Sequence, residues 1–417
     1  MPTPTADNIL IQVATYQMSN LAYLQNLNAF IATANTRFKD FDKIQGNLGS
    51  TVTFDLPPRF VTANSLIATF QPAVQRVHTL TVDNAYNTSY VFSSEQFVFN
   101  VRDYMEKFGK AATVELGAQI EANVALNCKT APYRFFGNGI APINTYGQLA
   151  QALANFRNYG SASGEAKAYI PDTAVPAIIQ SGLGQFALDR NNRTAMSWEL
   201  GDFSRCTWYQ SNLLPIHVAG TEGQQGSVLT VVSTTQNSQG QITAITFSGC
   251  NAPNDPDSIK KYDSFQFNDG VPGFNNVRYL TFTGHQVSAN PVQFQATSDA
   301  QSTGGSQVTV QITPFLQSAA GADQNISEPI QVGMQVSVLP SHRCGMITSG
   351  DPLFLAMPRL PDQSPFKTAN AVDPDTGVSM RMYYGSKFGE NQQGMVHDVI
   401  WGSTAVPEYT FKLVFPL

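Results

Sequence analysis

The sequence predicts an α+β host fold with an all-β domain inserted into it, and three observations carry that prediction. Residues 94–127 read as one long amphipathic helix. Strand-type text stands ahead of it at 51–54 and 77–82 and returns at the end of the chain. From 228 to 338 nearly every apolar run alternates and is broken by turn residues, with no helix competing.

In chain order, residues 9–30 mix Ile9, Ile11, Val13, Tyr16, Leu21, Leu24 and Leu27 with Asn and Gln, a helix-leaning pattern that fits an arm. The run Thr51, Val52, Thr53, Phe54 and the alternation of His78, Leu80 and Val82 with threonines predict two strands. Some twenty residues join them, which fits a protruding two-stranded loop better than a compact hairpin. Ser93 and Gln96 have capping-box spacing, and Phe97, Val101, Tyr104, Met105, Phe108, Ala112, Leu116, Ile120 and Val124 recur at helical intervals. At 1.5 Å per residue the predicted helix is roughly 50 Å long, the length of a brace. Asp103 with Lys107 and Glu106 with Lys110 add acid-before-base pairs one turn apart.

Past the helix, Gly137-Asn138-Gly139 marks a turn, and Thr145 with Gln148 again has capping-box spacing, so a shorter helix is expected over Leu149, Leu153 and Phe156. Ala168-Tyr169-Ile170-Pro171 reads as a short buried strand ended by proline, and 176–185 as a loose helical turn. The alternating runs at 228–232, 242–247, 265–267, 279–282, 308–312 and 332–338 predict a small β-barrel or sandwich. Two strong strand candidates, 397–401 and 409–415, close the chain as a terminal pair connected by 402–407.

Composition narrows the function classes. Of 417 residues, 42% are hydrophobic and only 13% charged, with 31 Gly and 24 Pro; a chain so poor in charge often ends up against other protein. The net charge of −6 and the lack of a basic run disfavour a strong grip on nucleic acid. Cys128, Cys206, Cys250 and Cys344 show no CxxC spacing, which fits free thiols rather than a disulfide scaffold or zinc site. Residues 1–8 lack a basic-then-apolar run, and no window approaches the ~18 apolar residues of a membrane span, so a cytoplasmic protein is expected.

Catalytic and cofactor signals are weak. His78, His217, His285, His342 and His397 are scattered singly, and no GxSxG, P-loop or dinucleotide fingerprint occurs; Pro142 stands where Gly137-Asn138-Gly139 would need a third glycine. Asp255-Pro256-Asp257 and Asp373-Pro374-Asp375 resemble calcium loops but lack the acidic ligand at the twelfth position, and turn formation explains both. The sequons at Asn87, Asn192 and Asn325 carry no meaning in a cytoplasmic chain. No catalytic, cofactor-binding or metal residue is predicted. The run Asn254, Asp255, Asp257, Lys260, Lys261 and Asp263 concentrates charge, as either a solvated loop or an electrostatic contact with a neighbouring subunit.

The order of parts resembles the major capsid proteins of tailed bacteriophages, in particular podovirus-type coat proteins with an inserted β-barrel domain. Short patterns carry the likeness: Ile120-Glu121-Ala122-Asn123-Val124-Ala125 in the helix tail, Leu213-Leu214-Pro215-Ile216 entering the insert, 308–314, and Val399-Ile400-Trp401-Gly402 followed by Pro407 and a last strand. The resemblance implies an N-terminal arm (1–47), an extended β loop with peripheral strands (48–92), a spine helix of the peripheral domain (93–130), an axial domain (131–217), an inserted barrel (218–340) and a return to axial and peripheral domains (341–417). It implies a protein that self-assembles into hexamers and pentamers of an icosahedral shell around double-stranded DNA, without sequence-specific binding, made in the host cytoplasm with scaffolding and portal proteins as partners. Candidate subunit contacts are Arg59 and Arg76 of the loop and Asp255, Asp257, Lys260, Lys261 and Asp263 of the insert. Some relatives cross-link through a loop lysine; none occurs here between Lys43 and Lys107, so non-covalent contacts or a decoration protein would hold the shell. An enzyme with an inserted β domain and a β-rich adhesin or carbohydrate-binding protein are the alternatives.

Overall fold

Alternating burial along the strands and one buried stripe along the helix organise the chain into sheets, a barrel and a buttressing helix. The structure, a computed structural model, describes residues 29–36, 51–62, 70, 75–93, 108–160, 165–181, 201–203, 205–282, 284–363, 366–372, 379–386 and 392–417. These fall into two units, one drawn from Met1–Phe54, Val77–Asn127 and Asp351–Ala405, the other from Asp55–Arg76, Cys128–Gly350 and Val406–Leu417. Among the described residues no helix is long and apolar enough to cross a membrane.

The first unit centres on the 14-residue strand Gln392–Ala405. It pairs antiparallel with Asn84–Ser93, with Ser379–Ser386 and, at its far end, with Leu353–Ala356; Lys367–Val372 extends the sheet. Met395, His397, Val399 and Trp401 alternate into the interior, as period two requires. At Gly402 an added Cβ would lie 2.1 Å from the Thr81 carbonyl oxygen, so only glycine admits this approach.

The long helix is described as Lys110–Ala125, ended by a turn at Leu126 and followed by the short helix Asn127–Thr130. At 1.5 Å per residue that is about 24 Å. The predicted residues 94–107, with the Gln96 cap partner and the Asp103 and Glu106 pairs, lie outside the described residues, and Ser93 ends a strand. Ala112, Leu116, Ile120 and Val124 are buried as their spacing predicts. Glu121 is buried on the same helix and accepts from the Phe30 and Ile31 amides at 2.8 and 3.1 Å, so its carboxylate ties down the start of the Ala29–Thr33 helix. The rest of the predicted arm helix lies outside the described residues.

In the second unit a sheet runs in the order Phe135–Phe136, Thr410–Phe415, His342–Ser349, Ala166–Pro171, Cys206–Ser211, Gly201–Phe203, with Ile216–His217 also on the His342 strand. The Tyr146–Arg157 helix covers it, opening with the capping box that Thr145 and Gln148 predict, and Phe156 meets Phe411 at 5.6 Å. Ala166–Pro171 is the expected buried, proline-ended strand. At the Gly137 turn φ is +108°, and an added Cβ would meet the Val414 carbonyl at 2.7 Å.

The predicted terminal strand pair is corrected. Gln392–Ala405 and Thr410–Phe415 belong to different sheets, because the 3₁₀ turn Pro407–Tyr409 redirects the chain between them.

The insert is a closed six-stranded barrel, ordered Ile242–Ser248, Gln307–Leu316, Gln293–Ala296, Ser264–Phe267, Gln335–Val338, Val228–Gln236. This decides between barrel and sandwich. Phe265 stacks on Phe294 at 5.0 Å and 3°, and Phe247 lies 6.0 Å from Phe265, nearly parallel, which fills the interior. Two strand assignments change. Arg278–Leu280 pairs with Val287–Pro291 in a separate ribbon, and Gln293–Ala296, which the alternation does not reveal, takes the barrel place. Val332 is 67% exposed ahead of a turn at Gly333, so the last barrel strand starts later than predicted.

Candidate subunit-contact sites

The loop arginines and the barrel's charged run sit in two polar clusters of the second unit, and a third lies where the barrel joins the sheet. In the first, the turn Pro407–Tyr409 directs the Glu408 carboxylate at both loop arginines. Arg59 Nη2 donates to Oε1 at 2.7 Å and Arg76 Nη1 to Oε2 at 3.0 Å, with a second Arg76 contact to Oε1. All three side chains are at least three-quarters buried, at 14%, 24% and 17% exposure. Burial alone would raise the Glu408 pKa, but the two guanidiniums hold it below the ordinary carboxylate value; burial is also the largest influence on Arg76 and lowers it, but the bond and charge of Glu408, with Tyr133 and Asp323, together leave Arg76 raised.

Arg134, fully buried, donates Nη2 to the Glu408 main-chain carbonyl. Its guanidinium lies 4.5 Å from the Tyr159 ring, 5.0 Å from Phe282 and 5.3 Å from Tyr133, while Arg59 stands 4.4 Å over Phe282. Aromatic faces thus hold cations that one carboxylate cannot neutralise. Burial pushes the Tyr133, Tyr159 and Tyr279 phenols up, so they stay neutral, and Tyr279 donates to the Gln293 carbonyl at 2.6 Å. Arg59 and Arg76, expected to contact a neighbour, are engaged here with their own chain.

The charged run folds back on the barrel. Asp255 accepts from the Asp257 amide at 3.0 Å, Lys261 donates its amide to Asp299 at 2.7 Å, and Ile259 is fully buried. Asp257 and Lys260 pair loosely at 3.7 Å in solvent, worth at most about 1 kcal/mol. Lys261 lies 5.0 Å over the Tyr262 ring. Asp257 and Lys261 are exposed, Asp255 and Lys260 half-buried. Asp263 differs: it is fully buried and turned inward, where no neighbour can reach it.

Asp263 leads to the third cluster, which sequence reasoning misses because its members are far apart in the chain. It accepts from His217 Nε2 at 2.7 Å and from the Gly220 and Lys260 amides at 3.1 and 2.7 Å. His217 and His342, paired across adjacent strands, have ring centres 5.4 Å apart. Lys412, fully buried, donates to Ser264 Oγ at 3.0 Å. Burial lowers the Lys412 pKa and both histidines, His342 to about 3, and raises the Cys344 thiol. All four cysteines are free thiols, as the sequence suggests, and the fold buries each of them. Among the described residues no group of three or more His, Cys, Asp or Glu could hold a metal ion.

No protein-family profile and no curated protein matches the chain. Among solved structures it is similar to one from Mycobacterium phage Che8, at 8% identity and TM-score 0.46 over 93% of this chain and 90% of that one. It is likewise similar to the capsid of cyanophage P-SCSP1u, at 12%, TM-score 0.40, 93% and 90%. A virus-like particle from Pyrococcus furiosus gives 7%, TM-score 0.40, 96% and 97%. At these values the likeness carries no argument.

Proposed function

We propose that this chain is a major capsid protein of the tailed-bacteriophage type, a structural subunit rather than an enzyme, which assembles with copies of itself into a shell. The observation that carries the reading is the placement of the closed barrel. The chain leaves an α+β host at Ile216–His217, builds the six strands, and re-enters the same sheet at His342–Ser349. That insertion, with the two-stranded ribbon of Thr51–Leu56 and Arg76–Thr81 and the helix Lys110–Ala125 ahead of it in the chain, supports the order of parts in which the sequence resembles podovirus-type coat proteins. The polar clusters support a structural role too. Their charges are matched or buried by the protein itself.

In this reading the subunit forms hexamers and pentamers of an icosahedral shell around double-stranded DNA, with scaffolding and portal proteins and a possible decoration protein as partners, in the host cytoplasm. The limits 48–92, 93–130, 131–217, 218–340 and 341–417 divide it into loop, spine, axial, inserted and returning parts. Asp255, Asp257, Lys260 and Lys261 are the charges offered to a neighbour. A motor drives DNA into such a shell, and a net charge of −6 keeps its wall from binding the duplex. The test is to purify the chain, alone and with a scaffolding protein, and examine it by size exclusion and negative-stain microscopy. Capsomers or closed shells are expected; a monomer that never assembles under either condition sinks the reading.

A further inference from the structure

The chain enters the barrel through Ile216–His217 and leaves it through His342, and these two crossings pair with each other in a two-stranded neck, beside the Gln293–Phe135 and Lys412–Ser264 bonds and the shared apolar core that also join barrel and sheet. Both neck histidines are buried, at 1% and 0% exposure, with ring centres 5.4 Å apart. His217 has Asp263 as partner to its Nε2, and His342 Nδ1 meets the Pro340 carbonyl at 2.7 Å. Among the described residues, neither His217 Nδ1 nor His342 Nε2 has a hydrogen-bond partner, so a second proton on either ring meets no acceptor there. Among the described residues the titratable groups that act on them are Lys412, reaching from the last strand to Ser264, Lys129, the thiols of Cys128 and Cys344 around Lys412, and the carboxylate of Asp263.

We propose that this neck is an acid-sensitive hinge: protonation sets the His217 and His342 imidazolium charges side by side with the Lys412 ammonium against one carboxylate, and loosens the barrel's attachment to the sheet. The order of events follows from the partners. His217 takes the first proton, because Asp263 stabilises its charge. That charge then faces His342, whose own proton has no counterion. Opening the neck hydrates both rings and returns them to the ordinary histidine range. The closed neck therefore binds fewer protons than the open one; its closure is full above about pH 6.5 and is lost as the pH falls towards about 3, where His342 titrates when closed. The inference does not depend on the shell reading.

Hydrogen–deuterium exchange of the full chain at pH 7.5 and pH 5, with intrinsic rates corrected, tests it. For His342 alone the linkage predicts that protection of neck peptides covering 215–219 and 341–344 falls about 30-fold at pH 5, while the barrel strand Gln307–Leu316 keeps its own. In His342→Gln, which cannot take that proton, the fall should be clearly smaller than in the wild type, with only the lowered His217 left to contribute. Neck protection unchanged by acid in the wild type, or an equal fall in the variant, overturns the proposal. Should the variant not fold, an imidazole carbon NMR titration of the wild type decides: a His342 ring titrating near 6.5 with the neck closed also overturns it.

Discussion

Replacing Glu408 by Gln keeps the shape of the side chain and removes the charge shared by Arg59 and Arg76. The magnitude follows from burial. An ion pair in solvent is worth about 0–1 kcal/mol, whereas removing one partner of a buried pair costs about 3–5 kcal/mol, because the remaining charge is stranded. With 14%, 24% and 17% of the three side chains exposed, the cluster lies near the buried limit, and a loss of about 3 kcal/mol is expected. Arg134 donates to the main-chain carbonyl of Glu408, so its bond survives the substitution and does not inflate the loss. The pH dependence has a definite sign. Because the two guanidiniums overcome burial and hold the folded carboxyl below its ordinary 4.5, this stability is present above about pH 4.5 and is lost as acid protonates Glu408. Urea unfolding of both proteins, read by pulse proteolysis at pH 7 and at pH 3.5, measures the gap. A difference below about 1 kcal/mol at pH 7 would mean that the cluster behaves like a surface pair. A gap that persists undiminished at pH 3.5 would show that charge is not its source.

Three further outcomes are expected. Charge reversal of Lys260 and Lys261 to Glu should impair shell assembly while leaving the monomer's melting temperature unchanged, since both side chains are partly or fully in solvent; an unchanged yield of closed shells counts against their role. Phe294→Ala empties the middle of the stack with Phe247, Phe265 and Phe267 and should destabilise the barrel by about 3–5 kcal/mol, seen as lost exchange protection in the barrel strands; a loss under about 1 kcal/mol refutes the stack as its core. Burial lowers the His397 pKa to about 4 despite neighbouring Asp398, so the first unit should lose about 2 kcal/mol between pH 7 and pH 5, and His397→Phe should remove that slope; equal slopes in denaturant titrations would reject the assignment.

Features governed by local chemistry were legible in the sequence, and those governed by distant partners were not. The Thr145–Gln148 cap and the turn at Gly137 depend on residues a few positions apart, and both form as read. The strand Gln293–Ala296 escaped because its glutamines look like outward positions. Both are buried: Gln293 serves the Phe135 amide and carbonyl, and Gln295 donates to the Lys129 carbonyl, and alternation cannot detect such distant partners. Glu408 has no local mark at all, since its arginines lie 349 and 332 positions away. The histidines looked scattered for the same reason, although one precedes the insert and the other follows it. Asp263 read as one charge in a solvated run, yet it is the member the fold turns inward.

The Cys344 amide donates to the Pro215 carbonyl at 2.9 Å, so the host chain is interrupted between two points that nearly touch. An unfolded segment of over a hundred residues tethered there would cost the host roughly 4 kcal/mol of loop-closure entropy. A folded barrel with its ends side by side holds those points at the required spacing and removes that burden. Folding of the host sheet and folding of the barrel are thereby coupled through one pair of anchor points.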